Sequence, residues 1–232
     1  MRQRLRLPVD GNRSARNTDP IRRAHSLALQ GAKNMPDQDL VIQRTASMEQ
    51  RVDALQAALD ARGMNATQAV AELSHLVIEQ WVPQNGARVV ARAWTDPAFR
   101  ERLLADGRAA VAELGLSMPR HHRHLVVLEN TPDVHNVICC SLCSCTAFTL
   151  IGLPPDWYKD LEYRSRVVRE SRTVLKEMGL DLPPEVGIRV WDTTADTRYM
   201  VLPEQPRETL GWPEENLAAL VTRDALIGVA RL

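Results

Sequence analysis

Val137-Ile138-Cys139-Cys140-Ser141-Leu142-Cys143-Ser144-Cys145-Thr146 begins as an apolar strand end and continues into a loop that no packing need explains. Three of its cysteines fall within six residues, and the only other cysteine of the 232-residue chain, Cys139, abuts them. A structural zinc closed by two distant ligand pairs, or a disulfide framework, therefore has no remote partners to draw on. One metal site made by one short loop is the reading that remains, with Cys140, Cys143 and Cys145 as soft ligands. A strongly polarising ion would also recruit the deprotonated main-chain amides of Ser144 and Cys145, giving a mixed sulfur and nitrogen set with one position vacant. That set suits a trivalent transition ion, iron or cobalt, better than calcium, magnesium or zinc. The alternative is a buried, reduced cysteine patch. It leaves the flanking serines unexplained, and exposed thiols so placed would be an oxidation liability. Cys139 belongs to the apolar lead-in and is read as packing only.

Outward from the loop, the sequence reads as α+β, an N-terminal helical arm followed by a layered α/β metal-binding domain. Residues 1–47 are polar and arginine-dotted without a sustained apolar period, which predicts a flexible or partly helical extension. Residues 48–118 carry helical stripes, Val52, Leu55 and Leu59 before Gly63, then Val70, Leu73, Val77 and Trp81 before Pro83. Asp96-Pro97 reads as an N-cap and first-turn proline. Residues 119–232 form the metal domain, with strands at Leu125 to Leu128, Val137 to Cys139, around Val186 to Val190 and at Tyr199 to Leu202. Helices are expected from Ser171 to Met178, closed by Gly179, and from Pro213 through Leu220. Acidic and basic residues balance to zero net charge, which argues against a nucleic-acid or membrane surface. No apolar run approaches the roughly twenty residues of a membrane span, and the start lacks a signal peptide's apolar stretch, so a cytoplasmic protein is expected.

A wider set of residues resembles a known family. Glu129 to Asn136, the cysteine loop, Gly152-Leu153-Pro154-Pro155-Asp156-Trp157-Tyr158-Lys159, Tyr163 to Glu170 and Trp191 to Pro203 together resemble the alpha subunit of nitrile hydratase, as do Asn85-Gly86-Ala87 and Ala91 to Pro97 upstream. The likeness covers about Met48 to the C-terminus. It implies Cys140, Cys143 and Cys145 as sulfur ligands of a low-spin Fe(III) or Co(III) and the amides of Ser144 and Cys145 as nitrogen ligands. It further implies Cys143 as a sulfinate and Cys145 as a sulfenate, rungs of the thiol oxidation ladder. Activity would require a beta subunit, whose arginines balance the oxidised sulfurs, and a metal-insertion activator. A nitrile would be polarised at the vacant position and hydrated to the amide, with water or the Cys145 sulfenate as the attacking group; Cys145, Cys143 and Ser144 are thus the catalytic candidates. Ser141, where the cobalt branch usually has threonine, favours iron. Arg198, in the run Thr194-Ala195-Asp196-Thr197-Arg198-Tyr199, is the one distant charge assigned to the site or the subunit interface.

The chain departs from the family at two places. Phe148-Thr149 stands where an aromatic and a proline are usual, which predicts a less rigid exit from the loop. Pro119 to His124 replaces a Pro-Gln-Gly-Glu run with a basic, histidine-rich stretch, read as a solvated loop, with altered substrate preference or an adventitious metal site as the sharper alternatives. His135 is expected to be a hydrogen-bonded loop histidine rather than a base or a further ligand. Two rival functions stand beside nitrile hydration. A thiocyanate hydrolase subunit has a similar loop with cobalt, and a non-enzymatic metal or redox sensor would need no partner for chemistry.

Overall fold

The computed structural model describes residues 46–143 and 145–232, and the chain falls into two units, one ending at Thr67 and the other running from Gln68 to Leu232. Most of the expected N-terminal extension, and Ser144 of the loop, lie outside the described residues. In the first unit, helix α1 (Met48–Asp60) starts with a reciprocal cap. Gln50 N donates to Ser47 Oγ at 3.2 Å, and Ser47 N donates to Gln50 Oε1 at 3.0 Å. Val52 and Leu55 are exposed on α1. Helix α2 (Ala66–His75) runs into a π-helical turn, Leu76–Gln80, and Val70, Leu73 and Ile78 are exposed along it.

The second unit is built on helix α3 (Pro83–Thr95), which begins with the proline that a first helical turn accepts without loss. Its buried face is Gly86, Ala87, Val89, Val90, Ala91 and Ala93. Small residues there let another segment come close. A Cβ on Gly86 would stand 2.6 Å from the Leu150 carbonyl oxygen, so only glycine allows α3 to pass the short helix α6 (Phe148–Ile151) that follows the cysteine loop. Helix α4 (Pro97–Ala105) is capped by Asp96, which accepts from Phe99 N at 3.0 Å, as its sequence predicts. Helix α5 (Gly107–Glu113) is capped in the same way by Asp106.

Among the described residues, four strands make two parallel pairs. β1 (His124–Glu129) pairs with β4 (Thr197–Leu202), and β2 (Val134–Cys139) with β3 (Gly187–Asp192). Parallel pairing demands a long crossover, supplied here between β2 and β3 by α6, α7 (Asp156–Lys159) and α8 (Leu161–Glu177). β2 is buried from His135 to Cys139, and Val137, Ile138, Leu150, Tyr158, Val167, Leu175 and Met200 are among the core around it. The chain closes with α9 (Glu214–Leu220) and α10 (Arg223–Ile227). The mixed α+β architecture expected from the sequence is the one observed. Among the described residues, no helix is long and apolar enough to cross a membrane.

Two expectations need correction. The helix expected from Ser171 begins at Leu161, because Asp160 caps it by accepting from Glu162 N and Tyr163 N at 2.6 and 3.2 Å. A break at Glu170 (φ −138°, ψ 46°) divides it, and Arg166 spans the break by pairing with Glu162, Glu170 and Glu177. His135 is not in a loop. It sits buried on β2, where Nε2 donates to the Gly228 carbonyl at 2.8 Å and Nδ1 meets the Asn130 side-chain amide at 3.2 Å. A carbonyl can only accept, so the tautomer is fixed with the proton on Nε2. Burial lowers its tendency to charge, which fits this neutral, structural use.

Gly228 ends α10 in the left-handed region (φ +91°), and a Cβ there would lie 2.0 Å from the Asn136 carbonyl oxygen on β2. Gly228→Ala therefore combines a disfavoured backbone with a clash against the strand that leads to the cysteines. It is expected to cost about 3 kcal/mol, seen as a melting temperature lower by about 6–12 °C; an unchanged melt would contradict this packing.

Candidate metal centre

The parallel register of β2 on β3 sets Cys139 opposite Asp192, and the ladder continues one step further as Thr193 N donates to the Cys139 carbonyl at 3.0 Å. Both strands thus end where the cysteine loop begins. Asp192 uses both oxygens there. One accepts from Ser141 N at 2.9 Å, and the other accepts from the Ser141 hydroxyl. Three further side chains hold the loop by its main chain or its exit. Arg164, on the first turn of α8, donates from Nη1 to the Cys143 carbonyl at 2.8 Å. The Tyr158 hydroxyl, fully buried, donates to the Cys145 carbonyl at 3.2 Å. Thr146 Oγ1 donates to the Gly152 carbonyl at 3.1 Å.

Held in this way, the three cysteines converge. Cys140 Sγ and Cys143 Sγ are 3.1 Å apart, Cys143 Sγ and Cys145 Sγ 2.9 Å, and all three sulfurs lie within 4.8 Å of one another. Cys140 is buried, Cys145 half-buried and Cys143 exposed, so the cluster opens on one side. Cys139 packs in the core, and burial, with the charges of Asp192 and Cys140 adding to it, pushes its thiol up to about 12. It is inert, as its apolar setting predicts.

The donor set fits a cationic centre. Burial works against ionising Cys140, but hydrogen bonding at its sulfur, with Cys143 N donating to it at 3.3 Å and the Cys143 thiol 3.1 Å away, outweighs it and brings the thiol down to about 7. Cys145 moves the other way, to about 12, through burial, its hydrogen bond with Cys143 and the negative charge of its cysteine neighbours, with Arg198 opposing. One thiolate is readily formed, while burial first, then the hydrogen bond with Cys143, keep the proton on Cys145, and the nearby negative charge adds to them. Complete deprotonation of the three sulfurs needs a cation of high charge among them. Thiolates also bind soft or strong-field transition ions in preference to calcium or magnesium.

The flanks of the loop differ from what the sequence suggests. The stretch from Pro119 to His124 is not uniformly solvated, since His122 is fully buried with its ring 5.5 Å from Phe148 and 4.4 Å from His121. Arg108 anchors this stretch by donating to the carbonyls of Met118, Pro119 and His122. Burial first, then the charges of Arg198, His121 and Arg108, hold the His122 imidazole near a pKa of about 4, so it stays neutral. Thr149, in place of the usual proline, secures the exit from the loop by other means. Its hydroxyl donates to the Ser117 carbonyl at 3.1 Å, and its carbonyl accepts from Asn85 Nδ2 at 2.8 Å. Phe148 stacks on Trp81, with ring centroids 5.4 Å apart and planes at 17°.

Of the residues singled out from sequence, the structure brings Cys140, Cys143, Cys145 and Ser141 together, and places Arg198 buried at the start of β4 where its charge is felt at Cys145. Asp192, Arg164, Tyr158 and Thr193 were missed as loop-holding groups. Their only sequence signal was membership of the runs that carry the family resemblance, with no role attached.

Comparison with known proteins agrees with this geometry. The family model described as nitrile hydratase, alpha chain, matches residues 46–230. The low-molecular-weight cobalt-containing nitrile hydratase subunit alpha of Rhodococcus rhodochrous is 48% identical over 180 residues, covering 78% of this chain and 86% of that one. A double variant of the Fe-type nitrile hydratase from Comamonas testosteroni Ni1 superposes with a TM-score of 0.75 at 61% identity, covering 80% of this chain and 90% of that one. The thiocyanate hydrolase subunit gamma of Thiobacillus thioparus is 43% identical over 158 residues, covering 64% of this chain and 65% of that one.

Asp192→Asn removes one acceptor and the charge that fix Ser141 while leaving the β2–β3 ladder in place. Metal affinity is expected to fall about 10- to 100-fold, measured by competition with a chelator; retained affinity would show that the clamp does not shape the site. Metal uptake by the metal-free protein should also weaken as pH falls through about 7, where protons reclaim Cys140.

Proposed function

The chain belongs to the nitrile hydratase alpha-chain family, and from that premise we propose that it is the metal-carrying subunit of an iron-type nitrile hydratase, converting nitriles to amides together with a beta subunit. The observation that carries this reading is the convergence of Cys140, Cys143 and Cys145 at the end of β2. The three sulfurs and the main-chain amides of Ser144 and Cys145 would hold the metal, which when bound supplies Lewis acidity toward a nitrile. The chain's own residues supply the frame. Asp192, Arg164 and Tyr158 fix the loop by its main chain and by the hydroxyl of Ser141. The exposed edge at Cys143 leaves an approach for a small substrate. Cys145 is assigned as a sulfenate whose oxygen is the candidate nucleophile or proton acceptor, and Cys143 as a sulfinate. Each oxygen insertion is a two-electron oxidation by a peroxide that releases water.

Iron is favoured over cobalt by Ser141 and by the 61% identity to the Fe-type protein, against 48% and 46% to cobalt-containing relatives from Rhodococcus rhodochrous and Pseudonocardia thermophila. Residues 48–118 are assigned as the arm that meets the beta subunit, consistent with the apolar side chains of α1 and α2 left uncovered in the chain alone. Residues 119–232 are assigned as the metal domain. A metal-insertion activator would load the site in the reducing cytoplasm, where the thiols are free. A thiocyanate hydrolase role has a specific observation behind it, the relative of Thiobacillus thioparus, but Ser141 and Thr146 stand where that loop commonly has threonine and tyrosine.

Co-expression with a nitrile hydratase beta chain tests the reading. The purified complex is expected to carry about one iron per pair of chains and to turn a small aliphatic nitrile into its amide without releasing acid, and Cys140→Ala is expected to abolish both metal and turnover. Hydrolysis of thiocyanate in place of nitrile hydration would favour the rival enzyme. Metal without any turnover would favour a sensor.

A further inference from the structure

Helix α8 breaks at Glu170, yet neither proline nor glycine occurs between Leu161 and Glu177 to cause it. What holds the bend is a clasp of side chains. Arg166 Nη1 and Nη2 donate to the two carboxylate oxygens of Glu177 at 2.8 and 2.7 Å, Nε donates to Glu170 at 2.7 Å, and Nη1 reaches Glu162 at 3.3 Å. In a straight helix residues 166 and 177 would stand about 16 Å apart along the axis, beyond the reach of the two side chains. The forked pair therefore exists only because the helix is bent. The Arg166 side chain is better covered than any of its three partners, and a bidentate pair within a network is the geometry in which a surface ion pair counts.

The two halves of α8 hold different things. From the second half, Arg172 donates to the carbonyls of Leu182, Pro183 and Val186, just before β3, and β3 ends at Asp192, which grips Ser141. From the first half, Arg164 donates to the Cys143 carbonyl at 2.8 Å and Tyr163 to the Ile138 carbonyl at 3.3 Å. The cysteine loop is thus gripped from both sides of the break, and the bend sets where Arg164 stands relative to Asp192. A trans peptide is planar, so fixing its oxygen fixes the direction of its nitrogen. The Cys143 carbonyl belongs to the peptide whose nitrogen is that of Ser144, one of the two main-chain nitrogens assigned to the metal.

We propose that Arg166 is a positioning residue of the metal centre: by clasping Glu177 across the break in α8 it aims Arg164 at the Cys143 carbonyl and so sets the plane of that peptide. The proposal rests on the metal-centre reading above and extends it to a side chain whose hydrogen-bond partners all lie on α8.

The test uses the metal-loaded two-chain complex and reads the rate of metal release to a chelator, the sulfur-to-metal charge-transfer absorption and the melting temperature. Arg166→Gln removes the clasp, Glu177→Gln removes only its partner across the break, and Arg164→Gln removes the contact with the loop. Arg164→Gln is expected to speed release about tenfold, and each clasp variant about fivefold with the absorption band displaced in the same direction. Arg166→Gln combined with Arg164→Gln should release metal no more than about twofold faster than Arg164→Gln alone, because the two act through one contact. A clasp that only stabilises the helix would lower the melting temperature and leave release and absorption where they were, and that result would overturn the proposal. Effects that multiply in the double variant, or an Arg164→Gln variant that keeps its metal as tightly as the unaltered protein, would overturn it as well. If Arg166→Gln fails to assemble with the beta chain, Glu177→Gln decides by the same readings, alone and combined with Arg164→Gln. An unaltered complex that holds no metal would overturn the metal-centre reading and this proposal together; a metal-loaded complex whose release ignores both clasp variants would overturn this proposal alone.

Discussion

The site depends on the register of two parallel strands. Pairing Cys139 with Asp192 makes β2 and β3 end side by side, so that a carboxylate stands where the chain leaves the sheet. Asp192 can then take both the amide and the hydroxyl of Ser141, and the loop turns back on itself in place of continuing as a strand. A slip of one residue would send every side chain of β2 to the opposite face, burying what must be open and exposing what must be buried. The rest of the fold guards this alignment. His135 ties β2 to the C-terminal segment through Gly228, Asn136 receives the Trp191 indole N–H at 2.9 Å across the ladder, and Tyr163 reaches the Ile138 carbonyl from α8.

Electrostatics then decide what the loop can hold. Three thiols crowded at hydrogen-bond distance do not ionise together without help: hydrogen bonding favours the Cys140 thiolate, while burial holds the proton on Cys145. A multiply charged ion supplies that help, and the main-chain hold of Arg164 and Tyr158 leaves the sulfurs free to serve as ligands. His122, near Phe148 at the exit from the loop, stays neutral, because burial first, and then the charges of Arg198, His121 and Arg108, oppose a proton there.

What the sequence made legible was local. The cysteine spacing, the cap at Asp96 and the glycine after α8 involve neighbours within a few residues, where residue type and spacing carry the physics. The four strands were placed to within about three residues for the same reason, because alternation and β-branched composition are read along one segment. Groups that act across the fold were not legible in role. Asp192 reaches a residue 51 positions earlier and Arg164 one 21 positions earlier, and no local pattern announces a parallel register. His122 failed for a related reason, since Arg120, Arg123 and two further histidines around it argue for solvent while Phe148, distant in sequence, provides its cover. The first half of α8 was hidden by its charges, which pair across the break at Glu170 in place of facing water.

X-ray absorption at the metal edge of the purified two-chain complex tests the central claim most directly, because it counts the atoms that surround the ion. The account predicts an iron edge with three sulfur neighbours and lighter nitrogen or oxygen neighbours completing the shell. A shell without sulfur, or four sulfurs with no lighter neighbour, would contradict a centre built by Cys140, Cys143 and Cys145 on their own main chain.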